Sequence, residues 1–165
     1  MKKHLYYTFR VEEITDETRE DVTECVITGW GSALVVSRGV LHDTRLLPGF
    51  IAVVDGTRVG YAVYNIINDE CELVAIESFH SDFGIGTALV DRVRYTAKKA
   101  HCRRLWLVTT NDNTNAIEFY QKRGFELRAV HFNAMDEARK LKRQIPLTGE
   151  HGIPIKHEFE FEVLL

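Results

Sequence analysis

A single mixed α/β domain is the fold that the sequence predicts, and three observations predict it. Residues 50–79 read as three strands separated by the turn pairs Asp55-Gly56 and Asn68-Asp69, an antiparallel meander. An amphipathic helix from Gly84 to about Ala100 then leads to Leu105-Trp106-Leu107-Val108, a continuously apolar run suited to a strand buried on both faces. A helical crossover makes that strand parallel to the one before it. Near the end, Ile155, His157, Phe159, Phe161 and Val163 alternate with Lys156, Glu158, Glu160 and Glu162, the period of a strand with one buried face.

Taken in order, residues 5–11 predict an opening strand with Leu5, Tyr7, Phe9 and Val11 on one face. Thr15 to Thr18 supplies helix-start chemistry, and Val22, Cys25, Val26, Gly29 and Trp30 fall at helical spacing, so a helix spans about 17–30 and ends at Gly31-Ser32. In residues 33–47, Leu34-Val35-Val36 is a short helix or strand, Ser37-Arg38-Gly39 a turn and His42-Asp43-Thr44-Arg45 a loop. This stretch reads first as a surface connection and second as a wall of an acceptor pocket. Pro48-Gly49 breaks the chain before the meander, whose strands are 50–54, 58–67 and 70–79.

The helix after Gly84 places Ile85, Ala88 with Leu89, Val93, Thr96 with Ala97, and Ala100 on one face. A short helix over 114–123 stops at Gly124, which suits a left-handed cap. A strand over 125–132 and a short helix over 133–142 follow. The basic group Arg139-Lys140-Leu141-Lys142-Arg143 reads as a solvated helix end. Residues 146–154 read as a loop.

Composition narrows the function. The chain has 165 residues, 45% hydrophobic and 27% charged, as in an ordinary globular domain. A net charge of -3 gives no basic footprint for nucleic acid. Charges interrupt every apolar run short of a membrane span, and the first residues lack the apolar core of a signal peptide, so a cytoplasmic protein is expected. Cys25, Cys71 and Cys102 are odd in number and far apart, which predicts buried thiols rather than a disulfide framework. The seven histidines show no ligand spacing, and no metal is expected.

The chemistry is concentrated between Glu72 and Phe125. A strand feeds the loop His80-Ser81-Asp82-Phe83-Gly84-Ile85-Gly86 at a helix start, where free backbone N–H groups and the helix dipole favour an anion. No Gly-x-x-x-x-Gly-Lys-Ser/Thr is present, and a Rossmann turn would need three glycines early in a parallel sheet. Together with Ile76 and the run Asn113-x-x-Ala116-x-x-Phe119-Tyr120-x-Lys122-x-Gly124-Phe125, the loop resembles the GNAT superfamily of N-acetyltransferases, in particular an uncharacterised bacterial branch. The motif-bearing part covers about residues 50–130.

This resemblance implies a splayed central strand pair with helices on both sheet faces, acetyl-CoA as donor and an amine, small or on a protein, as acceptor. The backbone of Val74, Ala75 and Ile76 is expected to pair with the pantetheine arm, and an N–H near Ile76 to polarise the thioester carbonyl. The N–H groups of Ser81, Asp82, Phe83, Gly84, Ile85, Gly86 and Thr87 are expected to hold the pyrophosphate. Ala116 and Phe119 belong to the same cofactor-binding run. Asn113 either caps its helix, bonds the pantetheine, or does both. Tyr120 lies at the family's general-acid position, with helix–sheet packing as its plainer role.

Glu70 and Glu72, two apart and so on one strand face, both match positions where the family carries its base. The plainer reading gives them a solvated face. Cys71 points the other way, which leaves direct transfer without a cysteine carrier. Trp30, Ser37, Arg38 and the 147–154 loop are candidates for the acceptor side. Ser81 replaces the family's usual Gln or Arg, and Asp82 and Phe83 stand where small or basic residues are common. An acidic side chain beside a diphosphate is unfavourable unless it points away. These departures motivate an alternative, a degenerate module that senses acyl-CoA without catalysis. A homodimer is the family's common assembly.

Overall fold

The computed structural model describes residues 8–165. Its elements are β1 (Arg10–Glu13), α1 (Asp16–Trp30), β2 (Leu34–Ser37), β3 (Val40–Asp43), a 3-10 turn (Thr44–Leu46), β4 (Gly49–Val54), β5 (Thr57–Ile67), β6 (Glu70–Ser78), α2 (Ile85–Lys99), β7 (Arg104–Thr110), α3 (Thr114–Gln121), β8 (Glu126–His131), α4 (Ala134–Leu141), a second 3-10 turn (Glu150–Gly152) and β9 (Glu158–Leu164). Leu5 and Tyr7 of the expected first strand lie outside the described residues.

One sheet carries the order β1-β4-β5-β6-β7-β9-β8, and β2 and β3 pair separately as a hairpin. All sheet pairings are antiparallel except β6 with β7. Alternation along β4 and β5 divides the core in two. Phe50, Ala52, Ala62 and Tyr64 pack with Leu89, Val90, Val93 and Ala97 of α2. Ile51, Val53, Tyr61 and Val63 pack with Val22 and Val26 of α1. The sheet is therefore covered on both faces, which is why its inner strands read as unbroken apolar runs.

The parallel pair determines where a site opens. β6 and β7 pair only at Glu70–Arg104, Cys71–Leu105 and Glu72–Trp106. Opposite β5, Val63 pairs with Ala75 and Tyr64 with Leu73, so Val74 is one extra residue in β6. Such a bulge bends its strand and increases its twist. Beyond Glu72 the two strands diverge, and the facing edge of β6 has no strand partner among the described residues.

Residues 33–47 differ from the surface connection expected. Arg38 and Gly39 both have positive φ, 48° and 75°, and make a two-residue hairpin turn between Ser37 and Val40. His42 and Asp43 are in β3 rather than a loop, and Thr44–Leu46 is a 3-10 turn capped by the Asp43 side chain. The hairpin lies over β6 and the start of β9, through His42–Glu72 and Arg38–Glu158. This alters the last strand too: Phe161 is buried, but so are Glu158 and Glu160 from the alternate face, at 2% and 4% exposure. Period-two alternation distinguishes two faces but not which of them is covered.

The basic end of α4 is solvated at Lys140, Leu141 and Arg143 but not at Arg139 and Lys142. Arg139 donates to the carbonyls of Pro146 and Ile155. Lys142 is buried and its Nζ donates to the carbonyls of Trp30 and Leu34, both at 3.0 Å. These bonds tie α4 to α1 and to the hairpin.

Candidate active site

Two cavities meet in the fork between β6 and β7. The first, about 480 Å³, runs along Leu73 to Ser78 and faces Ala116, Phe119 and Tyr120 of α3. Ser81 and Gly86 lie at its far end. The second, about 430 Å³, lies under the hairpin and is walled by Val35, Val36, Ser37, Glu72, Met135 and Glu158, among others. Trp30, Leu73, Val74, Val108, Thr109 and Asn113 line both. Trp30 is held at this junction by a relay, its indole N–H donating to the Tyr61 hydroxyl at 3.1 Å and that hydroxyl donating to Glu77 at 3.2 Å.

The first cavity ends at the start of α2. Gly84 caps that helix at φ 76°, and no side chain bonds the cap. An added Cβ on Gly86 would stand 3.1 Å from the Phe119 ring, so glycine allows α3 to close on α2. Arg123 adds a cation there. Its guanidinium donates to Thr87 Oγ1 at 2.9 and 2.6 Å and to the Phe119 carbonyl at 2.8 Å, and stacks 3.5 Å from the centre of the Phe119 ring. Asp82 and Phe83 are exposed, Asp82 with φ 67°. Ile85 is buried in the core instead of lining the cavity. Lys122 is paired with Glu118 on its own helix.

On α3, Asn113 accepts from the Ala116 N–H at 3.1 Å and so caps the helix while lining both cavities. Tyr120 is 7% exposed and packs edge-on against Phe119 and Phe125. Burial pushes its phenol well above the ordinary range, against a smaller opposite pull from Arg123. The group is neutral at physiological pH and so carries its phenolic proton.

Glu72 and Glu70 have separated environments. Glu72 is buried at 6%, lines the second cavity, and places Oε2 at 3.3 Å from His42 Nε2 of β3. That contact is not a hydrogen bond, and Glu72 Oε1 and His42 Nε2 are both buried without a hydrogen-bond partner among the described residues. Glu70 is ion-paired to Arg103 and, at 2.8 Å, to Arg104. It lines a different, polar groove with Asn65, Arg103 and Trp106, of which Glu72 is also a wall.

Behind this groove lies a buried charge network. Arg104 donates to Glu160 at 2.9 Å and Glu162 at 2.7 Å, and Glu160 also meets His131 at 2.8 Å and Arg38 at 3.5 Å. Burial alone would raise Glu160, but the hydrogen bonds from His131 and Arg104 and the charge of Arg38 hold it below its ordinary value. Glu158 goes the other way. Burial pushes it up, and the Arg38 N–H and the charges of His131 and Arg38 offset this only in part.

Comparison with known proteins agrees with this geometry. The model of the Acetyltransferase (GNAT) family matches residues 8–125. A Bacillus subtilis protein, the uncharacterized protein YdhI, is 42% identical over 146 residues, covering 87% of this chain and 91% of that one. The chain belongs to the GNAT family. It is accordingly an acyltransferase of the GNAT type. Two solved structures share the fold: an IAA acetyltransferase from Bacillus cereus (19% identity, TM-score 0.70, 96% of this chain and 100% of that one) and a GNAT family acetyltransferase from Elizabethkingia anophelis with acetyl-CoA bound (18%, 0.69, 95% and 98%).

Against the expectations for a GNAT protein, Val74, Ala75, Ile76, Ser81, Gly86, Asn113, Ala116, Phe119 and Tyr120 come together on the first cavity. Gly84 and Thr87 stand at the helix start beside it. On the acceptor side, Trp30 and Ser37 line the second cavity, whereas Arg38 supports its wall by donating its N–H to Glu158. Nothing in the sequence singles out His42, Asp112 or Glu158: His42 sits in a run with loop character, Asp112 is one polar residue in an asparagine-rich turn, and Glu158 alternates with the apolar residues of its strand. Among the described residues, no group of three His, Cys, Asp or Glu side chains is placed to hold a metal, and no helix is long and apolar enough to cross a membrane.

Proposed function

We propose that this protein transfers an acetyl group from acetyl-CoA to a primary amine held in the cavity under the hairpin. The observation that carries this reading is the meeting of two cavities at the β6–β7 fork, with Glu72 in the wall of one and Tyr120 in the wall of the other. The residues present fit the donor. The unpaired edge of β6 at Val74, Ala75 and Ile76 is a template for the amide-bearing pantetheine arm. The uncapped start of α2, with Arg123 adjoining, suits a diphosphate. Asp82 is exposed and does not line the donor cavity.

Glu72 takes the proton of the incoming ammonium, directly or through a water, and so frees the nitrogen lone pair. Of the two candidate carboxylates, Glu72 is favoured because Glu70 is engaged by two arginines outside the acceptor cavity. Glu72 also borders the polar groove around Trp106, which gives the proton an exit on the side away from the reaction. A backbone N–H near Ile76 polarises the carbonyl as the nitrogen attacks. The C–N bond forms, the C–S bond breaks, and Tyr120 gives its proton to the departing thiolate.

A cysteine carrier is disfavoured. Burial pushes the Cys71 thiol up to about 12, and it lies in the core on the opposite strand face. The test is release of free thiol from acetyl-CoA across a panel of amines. Amine-dependent release with formation of an acetamide is expected. Saturable acetyl-CoA binding with no release by any amine would reject transfer.

A further inference from the structure

The second cavity contains more negative charge than the transfer of one acetyl group requires. Its ionisable walls are Glu72, Asp112, Glu150 and Glu158, against Lys142 alone. Lys142 is already engaged, since its Nζ donates to two backbone carbonyls, and burial lowers its pKa. An acidic wall by itself selects nothing, but three of the lining residues carry a buried oxygen with no hydrogen-bond partner among the described residues: Ser37 Oγ, Glu72 Oε1 and Asp112 Oδ1. These residues are 3%, 6% and 5% exposed. Leaving such atoms unpaired is costly, and ionised carboxylates can only accept. The complementary group has several donors and no acceptor, which describes an ammonium.

The two orphaned carboxylates come from separate places. Glu72 pairs with Trp106, whereas Asp112 lies just past Thr110, which is roughly 13 Å further along β7 at strand rise. The strap from Gly149 to Glu150 fixes Asp112: the Glu150 N–H donates to Asp112 Oδ2 at 3.3 Å, leaving Oδ1 free. Between the two positions Leu73, Val74, Val108 and Ile155 supply apolar wall, with Thr109, Thr110 and Glu158 the polar residues among them. A hydrocarbon chain suits that middle section, and a carboxylate on the ligand would meet repulsion at both ends.

We infer that the acceptor is an elongated aliphatic amine bearing a second cationic nitrogen, one nitrogen at Glu72 for acylation and the other held by Asp112 beside Glu150. This rests on the acetyl-transfer reading of the same cavity, and binding and turnover separate the two. Linear diaminoalkanes, the monoamines of matched length and the matched ω-amino acids are titrated calorimetrically into the protein with and without CoA, alongside acetyl-CoA alone.

Diamine binding at least about tenfold tighter than the monoamine is expected, with the amino acid weakest. Asp112→Asn is expected to shrink the diamine preference about tenfold, and the exposed Glu150→Gln to shrink it less, which keeps a readout if the first variant folds poorly. Equal binding of mono- and diamine, or tighter binding of the amino acid, overturns the inference. Tight diamine binding without acetyl-CoA binding would sustain it while rejecting the transfer reading. Transfer to monoamines as efficient as to diamines would do the reverse.

Discussion

Glu72 Oε2 lies 3.3 Å from His42 Nε2, a contact between β6 and the β2–β3 hairpin in which both side chains are under one-tenth exposed. The hairpin thus does two things. It closes the proposed acceptor cavity over the fork, and it presses a histidine against the carboxylate that the proposed mechanism uses as base. The contact is made by Oε2, and Glu72 Oε1, without a hydrogen-bond partner among the described residues, remains to accept from an amine.

Replacing Glu72 with Gln is expected to lower kcat by about 10²–10⁴-fold, the usual worth of a positioned base. The KM for acetyl-CoA should change by less than about threefold, since loss of a proton-transfer group spares ground-state binding. Glu70→Gln should leave kcat within about threefold. Steady-state kinetics on both variants decides between them, and a larger loss in Glu70→Gln would reverse the assignment.

Tyr120→Phe removes one hydroxyl from a side chain that otherwise packs in the core. Turnover with acetyl-CoA is expected to fall about 10²-fold or more, while the calorimetric Kd for acetyl-CoA stays nearly constant. Unchanged turnover would remove Tyr120 from the chemistry and leave it a packing residue.

Arg104 carries a structural prediction. Its guanidinium bonds Glu70, Glu160 and Glu162, with Glu160 5% exposed by side chain. Arg104→Ala strands buried carboxylates and is expected to cost about 3–5 kcal/mol in a denaturant titration. Lys122→Ala breaks an exposed pair on α3 and should cost far less than Arg104→Ala. Comparable losses in the two variants would refute the buried network.

Much of this fold was legible because the relevant forces are local. The turn pairs Asp55-Gly56 and Asn68-Asp69, the apolar period of α2 and the glycine at 124 each specify backbone geometry within a few residues. The hairpin was not legible, because Val40-Leu41-His42-Asp43 lacks clear alternation and is a strand only through pairing with β2. The Val74 bulge was equally hidden: it depends on register against β5, and nothing in Leu73-Val74-Ala75 marks it. At the site, loop and helix positions could be read from their motif. Asp112 and Glu158 became visible only when the strap and the hairpin were seen to bury them.

Glu158 yields a pH prediction. Its native pKa is raised above the ordinary 4.5, with burial the main cause, so the native state holds this proton more tightly than the unfolded chain. Its favourable contribution is full below the unfolded pKa and is lost as pH rises through the native one. Glu158→Gln, which keeps an acceptor for the Arg38 N–H, should therefore gain stability relative to the wild type as pH rises from about 4 to 7. Melting curves across that window check the sign; a gain that grows toward acid would contradict it.

Acetyl-CoA binding tests the central claim most directly. Calorimetric titration should give one site per chain, and ligand at 100 times Kd should stabilise the protein by about 2.7 kcal/mol, a melting shift of about 5–10 °C. Arg123→Ala, which removes the cation beside Thr87, should weaken that binding about tenfold. Absence of both heat and melting shift at millimolar acetyl-CoA would contradict the assignment of the β6–β7 fork as the donor site, and the roles of Glu72 and Tyr120 would fall with it.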